Sequence, residues 1–98
     1  MPLRIDPEQN EVRALKGVTD WHRKRVLEIG CGDGRLTRRL AQLGARVYAS
    51  DPDAQLIRRA HRNLPQRFTK RIHYEVGQAE RVDHPSESFD VVVFAWSL

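Results

Sequence analysis

The sequence predicts an α/β domain built on a parallel sheet in the strand order 3-2-1-4, and three observations carry that reading. Val26, Leu27 and Ile29 form an apolar strand that runs into glycines at every second position, Gly30, Gly32 and Gly34. A helix-length segment follows, and then a second strand containing Val47 and Ala49 that closes on the carboxylate of Asp51. Beyond it the chain alternates again as helix, strand, polar loop and strand, the order that right-handed crossovers fold into a parallel sheet.

Each element has a local cause. Asp6-Pro7-Glu8 reads as a helix start, with Asp6 as cap, Pro7 at the first helical position and Glu8 in the positive first turn, so a helix is expected over about 7–20. The first sheet strand spans about 25–30. A second helix is expected over about 33–43, with Asp33 as its cap and Gly44 as a left-handed stop. The second strand covers about 46–50. Asp53 caps a third helix, which Pro65 ends because the residue before a proline is pushed out of helical geometry. In the third strand, about 71–76, Ile72, Tyr74 and Val76 alternate with polar neighbours. Residues 77–88 are polar, contain Pro85 and show no helical pattern. The last strand, about 89–96, is apolar on both sides, as a strand buried between layers must be. With both crossover helices on one face, the other face and the free edge of the last strand are expected to be open. A dimer or a partner chain covering the sheet would relieve that hazard.

At 98 residues and 40% hydrophobic content, the chain allows one domain, residues 1–98, able to bury about two-thirds of its unfolded surface. It contains no apolar run of about 18 residues and no cationic start leading into an apolar stretch, so no membrane span or signal segment is expected and cytoplasm is the expected location. A single cysteine excludes an internal disulfide. Without Cys-x-x-Cys, and with four scattered histidines, no metal site is expected. The charge of +4 is carried mostly by arginine, including Arg35, Arg38, Arg39, Arg58, Arg59 and Arg62 on two predicted helices. Such a face can meet a nucleic acid, or it can be the solvated side of amphipathic helices whose apolar side holds Leu36, Leu40, Leu56, Ile57 and Ala60. The second reading is favoured, because no aromatic residues interleave with the arginines to stack bases.

The glycine turn carries the chemistry. Glycines let the backbone bend sharply and approach a ligand with no Cβ in the way, and the first N–H groups of the following helix point back over the turn. Asp51, nineteen positions after Gly32, can accept hydrogen bonds from both hydroxyls of a ribose. The dinucleotide fingerprint needs its third glycine three residues after the second. That position is Arg35, with Gly34 one residue early, which disfavours NAD or FAD.

The run Leu27-Glu28-Ile29-Gly30-Cys31-Gly32-Asp33-Gly34, joined to Asp51-Pro52-Asp53, Gly77-Gln78-Ala79-Glu80 and Phe89-Asp90-Val91-Val92-Val93, resembles the class I S-adenosylmethionine-dependent methyltransferases over about residues 20–98. The resemblance implies a Rossmann-like fold with S-adenosyl-L-methionine as cofactor. It further implies that the chain is the amino-terminal, cofactor-binding half of that fold, cut before its second half. It places Glu28 under the turn, receiving the cofactor's ammonium directly or through water. Gly30, Cys31, Gly32 and Gly34 would border the methionyl and ribose parts, Asp51 would hold the ribose hydroxyls, and Pro52 and Asp53 would lie beside the adenine. Gln78 and Ala79 would sit at the adenine edge, where Gln78 stands in place of the aspartate many relatives carry. Trp96 and Ser97 would end the last strand facing the methyl group. Methyl transfer needs alignment rather than a covalent nucleophile, so no catalytic residue is read here. The acceptor implied is a small molecule. The alternative is a non-catalytic or split-enzyme binding module that needs a partner chain. The residues themselves leave other uses open: Glu28 can serve a neighbouring loop, Asp51 can be a turn acid before Pro52, and Cys31 can be a thiol nucleophile, although no histidine is placed to activate it.

Overall fold

The computed structural model describes residues 2–4, 17–77 and 89–95. Its strands are β1 (Pro2–Arg4), β2 (Arg25–Ile29), β3 (Arg46–Asp51), β4 (Ile72–Val76) and β5 (Val91–Phe94). Its helices are α1 (Arg35–Gln42) and α2 (Ala54–Arg62), followed by a short 3-10 turn at Gln66–Phe68. The strands form one sheet in the order β1-β5-β2-β3-β4, and every adjacent pair is parallel. The expected order 3-2-1-4 is therefore present as β4-β3-β2-β5. Of the helix expected over about 7–20, Gly17 and Val18 are helical and the residues before Gly17 lie outside the described residues. So do residues 78–88 and the end of the last strand from Trp96 onward.

Expectations about the sheet edge and the start of the first crossover helix need correction. The outer edge of β5 is not open: β1 pairs along it, matching Pro2 with Val92 and Arg4 with Phe94. A proline can begin an edge strand because the sheet asks no N–H of it on the outer side. Nor does Asp33 cap the first crossover helix. Gly34 holds that place at φ +90, a left-handed geometry that a helix cannot include, so α1 begins at Arg35 with no side-chain cap.

Alternation along the strands builds the core. Val26 lies in register with Val47 on one side and Val91 on the other, and Val47 with Ile72, so these side chains share one face. That face packs against Leu36, Leu40 and Ala41 of α1 and Ile57 and Ala60 of α2 in a single cluster. The opposite face is not bare at the sheet's centre, since Leu27 and Ile29 are buried. Farther out it carries Tyr48 stacked on His73 at 4.3 Å, with Phe89 edge-on at 6.3 Å.

The α2 start is built as expected. Asp53 sits in extended geometry, and its carboxylate accepts from the backbone N–H groups of Gln55 at 2.9 Å and Leu56 at 3.4 Å. Both would otherwise be orphan donors of the first turn. Asp53→Ala should lower stability by about 1 kcal/mol, read as a shift in the urea midpoint with an unchanged slope.

Candidate functional site

Parallel strands bring all their carboxyl ends to one edge of the sheet, and that edge gathers the predicted residues. After β2 the chain turns through Gly30, Cys31, Gly32, Asp33 and Gly34. The Ser50 carbonyl on β3 pins the start of this turn by accepting from Gly30 N–H at 2.8 Å and Cys31 N–H at 2.9 Å. The neighbouring strands close in: Ala95 N–H donates to the Ile29 carbonyl at 2.9 Å, and Gly77 N–H to the Asp51 carbonyl at 3.1 Å.

Asp51 ties these pieces together. Its Oδ2 accepts from Gly32 N–H at 2.9 Å and its Oδ1 from Asp53 N–H at 2.9 Å. The residue is only 7% exposed, yet a carboxylate offers about four acceptor directions, so two remain after both backbone bonds. Beside it, Gly32 has φ +59, and a Cβ built on it would meet no described residue within 4 Å. Among the described residues the space at the Gly32 Cα is therefore open, with the Asp51 carboxylate beside it. That combination fits a ligand bearing adjacent hydroxyls, and Pro52 stands exposed next to it.

Gly34 differs. A Cβ there would collide with the Tyr74 hydroxyl and stand 2.9 Å from the Tyr74 ring carbon Cζ. The space over the third glycine is thus taken by a side chain of β4. Under the turn lies Glu28, wholly buried, whose carboxylate accepts from the Thr37 hydroxyl of α1 at 2.5 Å. Asp33 contributes its carbonyl, which accepts from Arg38 Nη1 at 3.0 Å. Cys31 is buried at the turn, and burial, with Glu28 and Asp51 adding to it, pushes its thiol far above the ordinary range. A neutral thiol is a poor nucleophile. Gln78, Ala79, Trp96 and Ser97 lie outside the described residues.

Sequence reasoning missed Thr37 and Tyr74. The signal for Thr37 was present, because it is the one hydroxyl in the buried stripe Leu36, Thr37, Leu40, Ala41. Tyr74 gave none, since its contact with Gly34 joins positions forty residues apart and the strand pattern marks it only as core.

Two outcomes follow from this geometry. Gly32→Ala should cost about 1–2 kcal/mol through its left-handed backbone alone, and Gly34→Ala distinctly more because it adds a collision, the difference being measured by urea unfolding. Iodoacetamide should alkylate Cys31 at pH 8.5 far more slowly in the folded chain than in urea, because the raised pKa leaves almost no thiolate at that pH.

The sequence model of a family described as "Methyltransferase domain" matches residues 26–98. Human "Ubiquinone biosynthesis O-methyltransferase, mitochondrial" is 40% identical over 94 residues, which is 93% of this chain and 24% of that protein. The Agrobacterium fabrum "Ubiquinone biosynthesis O-methyltransferase" is 36% identical over 97 residues, 94% of this chain and 38% of that one. Among solved structures, an S-adenosylmethionine dependent methyltransferase from Mesorhizobium loti superimposes with a TM-score of 0.74 at 26% identity, over 90% of this chain and 38% of that one. The chain thus spans between about a quarter and two-fifths of the length of these three proteins. With the family match covering the glycine turn, Asp51 and the last strand alike, the chain belongs to the methyltransferase domain family.

Proposed function

We propose that this chain seats S-adenosyl-L-methionine between the glycine turn and Asp51, as the cofactor-binding part of an enzyme that methylates an oxygen of a small molecule. The observation that carries the reading is the bond from Gly32 N–H to Asp51 Oδ2 at 2.9 Å, which fixes the acid at the rim of an open hollow with acceptor capacity to spare. The cofactor supplies a methyl group already activated on a sulfonium. The residues described here then have three tasks. Asp51 orients the sugar by accepting from its hydroxyls, and the bare Cα of Gly32 admits the ligand against the backbone. Cys31, held neutral, offers no competing nucleophile. Positioning of this kind is the main way a protein accelerates a displacement between two bound partners.

Oxygen as the accepting atom, and a small molecule as its bearer, are supported by the names of the human and Agrobacterium relatives. A second reading, a binding module that needs a partner chain for transfer, draws on the fraction of those relatives that this chain matches. The two readings share the cofactor seat and differ in whether the chain alone transfers a methyl group.

Calorimetry with S-adenosylhomocysteine tests the seat. Saturable one-to-one binding is expected, and Asp51→Ala should weaken it roughly ten- to a hundredfold, the worth of about 1.5–3 kcal/mol for hydrogen bonds to a charged group. No binding by the intact chain, or equal binding by the variant, refutes the proposal.

A further inference from the structure

We infer that Tyr74 is a positioning residue for the cofactor seat: its hydroxyl, wedged against Gly34, sets the shape of the Gly30–Gly34 turn. The inference rests on the reading of that turn as the seat. It does not repeat it, because Tyr74 is a buried residue of β4 whose contact is with Gly34, and it comes no nearer than 4 Å to the Cβ position on Gly32.

The geometry leaves little slack. Tyr74 is 4% exposed, and its hydroxyl and Cζ occupy the volume that any side chain at position 34 would need. His61 of α2 meets the ring edge-on at 5.6 Å. Arg38 braces the same point: its Nη1 lies 3.3 Å from the Cβ position on Gly34 and donates to the Asp33 carbonyl. The tip of Tyr74 thus presses on the residue at φ +90 where the turn becomes helix, two residues after the N–H that grips Asp51.

Packing alone does not explain a tyrosine here. Among the described residues its buried hydroxyl makes no hydrogen bond of good geometry, although the Thr37 hydroxyl lies close enough to lower its pKa as a weak partner would. Phenylalanine would fill the ring's volume without stranding a polar atom in the core, and stranded hydroxyls are destabilising. What phenylalanine lacks is the one oxygen that reaches Gly34. Burial also pushes the phenol up to about 12, so the group stays neutral and compact throughout the neutral range.

Tyr74→Phe separates a brace from a mere core residue. In the intact, ligand-free chain, the Gly32 amide should exchange its hydrogen about tenfold faster in the variant, because a loosened turn releases the Gly32–Asp51 bond by local opening. The Leu40 amide, deep in α1, should keep its rate, and the thermal midpoint should not fall. S-adenosylhomocysteine affinity should drop about fivefold, since a turn that samples other shapes binds only in the fraction that fits. His61→Ala, which removes that edge-on contact, should move both readouts the same way by a smaller factor. Unchanged Gly32 exchange in Tyr74→Phe, or faster exchange with unchanged affinity, overturns the inference while leaving the cofactor seat intact. Failure of the unaltered chain to bind S-adenosylhomocysteine instead overturns the seat itself.

Discussion

One carboxylate holds the carboxyl edge of this sheet together. Asp51 ends β3, and its two oxygens take the N–H of Gly32 from one loop and the N–H of Asp53 from the next. Neither donor has another partner of comparable quality within its own segment, because both lie in turns between strand and helix. An apolar side chain at position 51 would deprive both N–H groups of their acceptor. The acid is therefore structural and available at once, since backbone bonds consume only part of its acceptor capacity.

Around that tie, the parallel sheet does most of the positioning. Because every strand runs the same way, the chain leaves each one at the same edge, and the loops there must share a crowded rim. Ser50 contributes a carbonyl that takes two turn amides, Gly77 reaches across to Asp51, and Ala95 to Ile29. Beneath the rim, Glu28 Oε1 accepts from the Thr37 hydroxyl. A buried carboxylate with no partner would be costly, and the hydroxyl on α1 supplies one to the acid in the centre of β2. The same layer supplies Tyr74, which converts a glycine that could have been room for a ligand into a fitted contact.

Much of this was legible from the residues, for identifiable reasons. The turn and its acid are local signals: three alternating glycines after an apolar strand, and an Asp at the end of the next. Asp53 as cap is likewise local, and the order β4-β3-β2-β5 follows from the handedness of crossovers. What escaped is non-local or hangs on one dihedral angle. The pairing of Pro2–Arg4 with β5 joins opposite ends of the chain through a strand too short to leave a pattern. The contact of Tyr74 with Gly34 crosses two elements. Asp33 looked like a cap because its residue type favours that role, but the left-handed Gly34 moved the helix start one residue beyond its reach.

The central claim, that Asp51 and the glycine turn form one seat for an adenosyl cofactor, is tested most directly by nuclear magnetic resonance of the nitrogen-15-labelled chain titrated with S-adenosylhomocysteine. The account predicts that the Gly32 and Asp53 amides, both bonded to the Asp51 carboxylate, shift together and saturate at the same ligand concentration, while the Leu40 amide stays in place. Saturable binding that leaves Gly32 and Asp53 unmoved would contradict it.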